Sequence, residues 1–154
     1  MGNILVEVNI MLIKDVMSKD LVNLNSNDSV EKAAQMMRQY DIGVLPVCDD
    51  SHRLVGIITD RDITLNSVAA GASAKDQKVC DFMTSNPVTG NPDMDIHDAI
   101  RLMSRHQVKR LPIVENNNLV GIVSLGDISQ EPNLDDNAGV ALKNISKPGS
   151  NNQL

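Results

Sequence analysis

The sequence predicts a mixed α/β (α+β) domain in which two copies of one short module pack against each other. Residues 14–18 (KDVMS) return as residues 80–84 (CDFMT), and residues 45–47 (LPV) return as residues 111–113 (LPI), in both cases 66 positions later. Within each copy, an amphipathic helical pattern precedes two short runs of apolar residues. A unit of this size buries little apolar surface by itself, so we expect the copies to pack together around a pseudo-symmetric groove.

The composition suits one globular domain and argues against several functions. The 154 residues are 42% hydrophobic, enough for a core, and carry a formal net charge of −6. An acidic chain with one Tyr and one Phe offers neither a basic field nor an aromatic platform, so we expect no nucleic-acid partner. No run approaches the roughly 18 apolar residues of a membrane span, and no signal-peptide pattern is present, so we expect a cytoplasmic protein.

Residues that commonly carry chemistry do not form a known motif. The cysteines, Cys48 and Cys80, and the three histidines fit no metal-ligand spacing. Signatures of phosphate-binding loops, zinc peptidases and serine hydrolases are also missing. We therefore predict two separate reduced thiols, no metal site, no catalytic residue and no catalytic cofactor. The protein is predicted not to be an enzyme.

The repeat divides the chain into five parts. These are an N-terminal extension (1–10), the first copy (11–70), a polar connector (71–77), the second copy (78–130) and a C-terminal tail (131–154). Either Met11 is the natural start or the first ten residues form an additional extended segment. The tail carries a helical pattern around residues 138–145 and is expected to be partly disordered.

An amphipathic helix is predicted in each copy, over residues 30–40 and 96–106. Ser29 and Asp95 directly precede apolar residues spaced i, i+3, i+4 and i+7, and their side-chain oxygens suit an N-cap. The methionines of these helices are predicted to be core residues rather than part of a ligand site.

A β-hairpin is predicted after each helix. Its strands are residues 44–47 and 54–58 in the first copy and residues 110–114 and 119–123 in the second. A turn rich in Asp, Ser or Asn separates the two strands of each pair. Pro46 and Pro112 have no N–H group for a strand ladder, so we expect them at a strand edge or entrance.

The sharpest local signal is a T/S-x-x-D pattern at the end of each hairpin. It pairs Thr59 with Asp62 and Ser124 with Asp127. One interpretation is a capping box, in which the hydroxyl and the carboxylate serve the first turn of a helix. The other is a ligand site, in which the hydroxyl and free N–H groups hold a phosphate and the carboxylate binds the two hydroxyls of a ribose. Both can be true of the same atoms.

These motifs, in this order and present twice, resemble the cystathionine-β-synthase (CBS) domain pair, also called a Bateman module. The resemblance covers residues 14–128, and the whole chain is similar to small stand-alone bacterial CBS-pair proteins. It implies two β-α-β-β-α repeats related by a pseudo-twofold axis and packed sheet to sheet. It also implies two clefts between the sheets, of a kind that often binds adenosine compounds.

The resemblance further implies a set of ligand contacts. Asp62 and Asp127 would bind ribose hydroxyls, and Thr59 and Ser124 would face phosphate. The base pockets would be lined by residues 42–46, including Ile42, Gly43, Val44 and Pro46, and by residues 108–112, including Val108, Lys109, Arg110 and Pro112. Residues 21–23, including Leu21 and Asn23, and residues 87–89, including Thr89, resemble the first short strand of the family and would offer backbone groups to the purine edge. Because aromatic residues are scarce, the base is expected to lie between aliphatic side chains.

The two copies differ close to these predicted contacts. Arg61 lies inside the first junction, where the second copy has Gly126, whereas Lys109 and Arg110 add charge only to the second copy. Arg61 either pairs with phosphate in a bidentate manner or stays solvated at a helix start. We expect unequal clefts, with the Asp62 cleft as the better anionic site.

Two functions remain open on these residues. The first is a regulatory module that binds an adenosine nucleotide (AMP or ATP) or a related adenosyl compound and signals to an unidentified effector protein. Ligand binding would change the angle between the copies or the contact within a homodimer, which the family leads us to expect. The alternative is a structural dimerisation module without a physiological ligand.

Overall fold

The fold follows the predicted order of elements twice. The computed structural model describes residues 10–132 and 134–147, except for the side chains of residues 135 and 136. The first copy contains β1 (Leu24–Asn25), α1 (Val30–Tyr40), β2 (Val44–Cys48), β3 (Leu54–Thr59) and α2 (Asp60–Asp62), which continues as a π-helical turn (Ile63–Val68). The second contains β4 (Thr84–Ser85), α3 (Ile96–His106), β5 (Arg110–Glu115), β6 (Asn118–Ser124) and α4 (Leu125–Ser129). Helix α5 (Asp135–Ile145) follows the two copies.

Helices α1 and α3 begin at the predicted caps. The Ser29 hydroxyl accepts the Lys32 N–H at 3.0 Å, and the Asp95 carboxylate accepts the His97 N–H at 2.7 Å. Both helices end at a residue in the left-handed conformation, Asp41 with φ 52° and Gln107 with φ 55°. Their apolar faces are buried, and these faces include Met37 and Met103, so the prediction of core methionines is confirmed there.

Both hairpins are antiparallel, as predicted, but the two prolines do not lie at a strand end. Pro46 is opposite Ile57 and Pro112 is opposite Ile122, inside their strands. The Pro112 carbonyl accepts the Gly90 N–H at 2.9 Å, on the side away from β6. Because the N and O atoms of a strand residue point to the same side, the missing N–H does not interrupt the hairpin ladder. The expected edge position is therefore wrong for Pro46, whose strand β2 lies between β1 and β3, but it is confirmed for Pro112, because β5 is an outer strand of the two-stranded sheet.

The start of each copy pairs with the hairpin of the other copy. Strand β4 of the second copy is antiparallel to β3 of the first, which completes a sheet in the order β1-β2-β3-β4. In the equivalent place, Ser18 of the first copy forms an antiparallel bridge with Ile122 in β6. The repeats are related by a pseudo-twofold axis and are joined by exchanged backbone hydrogen bonds as well as by packing.

The hydrophobic core also consists of two clusters, each of which includes a residue from the start of the other copy. One cluster surrounds the first hairpin and includes Val79, which precedes β4, whereas the other surrounds the second hairpin and includes Ile13 from the start of the chain. Helix α5 packs on α3 and α4, burying Ala138, Ala141 and Ile145. The segment predicted as a tail thus contains a packed helix.

Two predictions fall on other parts of the chain. The N-terminal extension, apart from residue 10, and the expected disorder at the end of the tail both lie outside the described residues. Within the described ranges, every helix is too short or too polar to cross a membrane.

Candidate functional site: a cleft between the two copies

A cleft of about 750 Å³ lies between the two copies, and residues from both line it. The first copy contributes the extended segment 18–22 and the residues around the start of β2, and the second contributes the ends of β5 and β6 and the first turn of α4. The lining residues are Ser18, Lys19, Asp20, Leu21, Val22, Tyr40, Ile42, Val44, Pro46, Arg110, Ile122, Ser124 and Asp127. A single copy would not enclose this cleft.

The predicted junction of the second copy lies at this cleft and forms a capping box. The Ser124 hydroxyl accepts the Asp127 N–H at 3.0 Å, and the Asp127 Oδ2 accepts the Ser124 N–H at 3.2 Å. The equivalent distances between Thr59 and Asp62 are 3.1 and 2.9 Å. The capping-box interpretation is confirmed for both junctions. Because the hydroxyl only accepts in this arrangement, its hydrogen remains available to a ligand, as does Oδ1 of the carboxylate.

The charges along the cleft are mixed. Lys19 and Arg110 contribute two cations, and Asp20 and Asp127 contribute two carboxylates. Neither cation forms an ion pair with a described residue. One guanidinium and one hydroxyl near a carboxylate can bind a phosphate next to a sugar diol, because each group has hydrogen-bonding capacity that the protein leaves unused.

Several predicted contacts come together in this cleft although they are far apart in sequence. They are Leu21, Ile42, Val44, Pro46, Arg110, Ser124 and Asp127. The base-pocket residues of the first copy thus face the junction of the second, a combination that the chain exchange produces.

Other predicted contacts do not line this cleft. They are Asn23, Gly43, Thr59, Arg61, Asp62, Thr89, Val108, Lys109 and Pro112. Thr59 and Asp62 are the repeat equivalents of Ser124 and Asp127, so their assignment to a second cleft stays a prediction. Gly43 has a local role, since a β-carbon there would lie 2.9 Å from Oδ2 of Asp60.

The predicted first strand needs a correction. Strand β1 comprises Leu24–Asn25, after residues 21–23, and in the second copy the equivalent backbone pairing is a bridge at Gly90, after residues 87–89. Leu21 and Val22 line the cleft but lie outside any strand. The apolar composition of this segment did not show that backbone pairing with β2 begins only at Leu24.

The sequence analysis missed Tyr40 and the pair Lys19 and Asp20. Tyr40 is the last residue of α1, is 47% exposed and lines the cleft. The expectation of a base held only by aliphatic side chains left this ring out. Tyr40 lies only two residues before Ile42, a predicted ligand contact, and this proximity could have indicated that its ring lines the same cleft. Lys19 and Asp20 directly follow Ser18, which bridges to the other copy, and no motif marks them.

Metal binding has no support in the described side chains. Among the side chains that the structure describes (residues 10–132, 134 and 137–147), no three His, Cys, Asp or Glu residues could hold a metal ion together. Both cysteines are free thiols.

The exchanged segments and the shared cleft define a tandem domain pair. The model of the CBS domain family matches residues 13–68 and 79–132, and the chain belongs to this family, with two copies of the domain. The CBS domain-containing protein YhcV of Bacillus subtilis (strain 168) is 42% identical over 134 residues, which cover 87% of this chain and 94% of the relative.

Two solved structures share the fold. The CBS domain pair of protein MJ0100, in complex with 5′-methylthioadenosine and S-adenosyl-L-methionine, has a TM-score of 0.70 and 33% identity, over 79% of this chain and 94% of that one. The structure of CBSX2 in complex with AMP has a TM-score of 0.67 and 28% identity, over 77% of this chain and 93% of that one. The predicted family and fold class are confirmed.

Proposed function

We propose that this protein is a regulatory module that binds an adenosine nucleotide or a related adenosyl compound in the cleft between the two copies. Because Asp127 lines it, we call it the Asp127 cleft. The observation that carries the proposal is the cleft itself, in which apolar residues of one copy face Arg110, Ser124 and Asp127 of the other. The adenosyl ligands of the MJ0100 pair and of CBSX2 support the same class of ligand.

Each part of such a ligand has a matching group in the cleft. Oδ1 of Asp127 is suited to the ribose hydroxyls, because Oδ2 is used by the capping box. The Ser124 hydroxyl and the Arg110 guanidinium are suited to the first phosphate. Leu21, Ile42 and the other apolar residues of the first copy form a surface for the base.

We assign the main anion site to the Asp127 cleft rather than to the Asp62 cleft that the sequence favoured. Arg110 lines the Asp127 cleft and has no ion pair with a described residue. Arg61, by contrast, is an exposed residue of the short helix α2. The Asp62 junction remains a proposed second site.

The proposed role is signalling by binding, without chemical conversion. A ligand in this cleft touches both copies, so it stabilises the relative arrangement of the copies that it fits best. We propose that this change is read by an effector protein, and that the module works as a cytoplasmic homodimer.

A thermal-shift screen with AMP, ADP, ATP, S-adenosylmethionine and 5′-methylthioadenosine tests the proposal. A ligand at 100 times its Kd stabilises the fold by about 2.7 kcal/mol, which raises the Tm by roughly 5–10 °C for a domain of this size. If millimolar concentrations of every compound leave the Tm within about 1 °C, the proposal is wrong and a structural dimerisation module is favoured.

Two matched variants locate the site. Asp127→Ala and Asp62→Ala remove the same capping contact at equivalent junctions, so their effects on folding are comparable. We expect Asp127→Ala to weaken the tightest site about 10- to 100-fold, because it loses a charged hydrogen bond. Asp62→Ala should leave that site unchanged. Equal losses in both variants, measured by titration calorimetry, would contradict the assignment.

A further inference from the structure

A second cavity, of about 360 Å³, adjoins the Asp127 cleft. This side pocket lies between the start of β5, helix α4 and helix α5. Arg110 and Ser124 line both cavities, whereas Lys109 lines only the side pocket. A molecule that extends past Arg110 from the cleft therefore reaches the side pocket next.

The side pocket carries positive charge. Lys109 and Arg110 line it, and no described carboxylate does. Neither cation forms an ion pair with a described residue. The Lys109 carbonyl accepts the Leu125 N–H at 2.8 Å, which fixes the backbone that presents this side chain. Two unpaired cations beside a cavity favour an anionic occupant.

Small residues keep the side pocket open. Gly126 and Gly139 lie on its α4 and α5 walls. A β-carbon on Gly139 would meet no atom within 4 Å, and one on Gly126 would meet only the Ser124 hydroxyl oxygen, at 3.6 Å. A β-carbon at Gly139, on the α5 wall, is therefore accommodated without a clash.

We propose that the side pocket is a subsite for the terminal phosphates of a nucleoside diphosphate or triphosphate. This inference rests on the proposed function, because the nucleoside and first phosphate would occupy the Asp127 cleft. Lys109 binds the terminal phosphate, and Arg110 binds the phosphate at the passage between the cavities. Helix α5 lies beyond the residues matched by the CBS family, so this wall is an addition to the domain pair. A terminal phosphate in the subsite would therefore contact α5, whereas AMP in the Asp127 cleft would not.

Titration calorimetry of AMP and ATP against four proteins tests the subsite. We expect the unmodified protein to bind ATP at least about 10-fold more tightly than AMP, because ATP adds charged hydrogen bonds. Lys109→Gln should weaken ATP about 10-fold and leave AMP unchanged. Gly139→Leu, which adds a large side chain to the α5 wall of the side pocket, should reduce the ATP affinity toward that of AMP. Gly139→Ala is the matched control and should bind both ligands like the unmodified protein.

The variants are compatible with the fold. Gly139 is exposed within α5, and Ala and Leu are both better helix formers than Gly. Equal AMP and ATP affinities in the unmodified protein would overturn the subsite, as would an equal loss of both ligands in Gly139→Leu. In either case AMP binding would leave the proposed function in place. If neither nucleotide binds, the subsite and nucleotide sensing are both contradicted.

Discussion

Met17 of the first copy packs against Gly121 of the second, and a β-carbon on Gly121 would lie 2.5 Å from the Met17 sulfur. The repeat places the same contact between Met83 and Gly56. The repeated methionine (residues 17 and 83) and the glycine of the L-V-G-I sequence (residues 54–57 and 119–122) thus recur together, since each methionine packs on the glycine of the other copy.

Adding a methyl group at either glycine should destabilise the fold. We expect Gly121→Ala to lower the free energy of unfolding by about 1–3 kcal/mol through overpacking. Gly56→Ala should cost more, because its β-carbon would also lie 2.9 Å from the Thr84 carbonyl, whereas the Ser18 carbonyl is 3.2 Å from the position at Gly121. Chemical denaturation measures both.

The control for this pair is Gly126→Ala, whose β-carbon has only an ordinary contact at 3.6 Å. It should change the stability by less than about 0.5 kcal/mol. Met17→Ala combined with Gly121→Ala should be less destabilising than the sum of the single changes, since the first removes the side chain that the second would contact. Strict additivity would contradict the proposed packing.

Tyr40 should contribute to ligand affinity rather than to folding. Its ring is about half exposed and lines the Asp127 cleft. We expect Tyr40→Ala to weaken an adenosyl ligand about 3- to 10-fold through lost ring contact, and Tyr40→Phe to bind like the unmodified protein. Unchanged affinity in Tyr40→Ala, measured by calorimetry, would show that the ring does not touch the ligand.

Ser67 should hold the connector against the first copy. Its side chain is fully buried, and its hydroxyl donates to the Gln77 side-chain carbonyl. Ser67→Ala leaves that carbonyl without its partner, so we expect a loss of about 1–3 kcal/mol of unfolding free energy. Thr64→Ala, at an exposed position of the same π-helical turn, is the control and should cost less. Equal effects of the two changes in a denaturation series would argue against this role.

Cys48 should be unreactive in the folded protein. Burial, with a smaller effect of the neighbouring Asp49 charge, raises the pKa of its thiol to about 11. Only the thiolate reacts, so alkylation of Cys48 by iodoacetamide at pH 8 should be about a thousandfold slower than for a fully ionised thiol. Its rate should rise about tenfold per pH unit up to the pKa. Mass spectrometry of Cys80→Ser isolates this thiol, and rapid labelling at pH 8 without denaturant would contradict the prediction.

Local signals in the sequence predicted the helices and hairpins well. Helix α1 follows Ser29 and helix α3 follows Asp95, because both the cap and the apolar spacing lie within one short segment. Pro46 was placed wrongly, because its strand β2 is flanked by β1 as well as by β3, and no local pattern showed that β1 would pair there.

The candidate site was less predictable than the fold. The residue types at Ser124 and Asp127 left a capping box and a sugar-phosphate site open, and they did not show that Leu21 and Ile42 of the other copy line the same cleft. Tyr40 was overlooked because composition counts aromatic residues without regard to where they lie. The side pocket depends on α5, whose position on α3 and α4 no repeat pattern encodes.

By itself, the sequence determined the duplicated module, its helices, its hairpins and its two capping boxes, since these depend on residues close together in the chain. Only the tertiary structure decided which copy supplies each part of a cleft. The two copies share their motif residues at equivalent positions, so sequence alone does not distinguish pairing within a copy from pairing between copies. The exchanged contacts at Ser18, Met17 and their equivalents resolve this, because they place the start of one copy on the hairpin of the other.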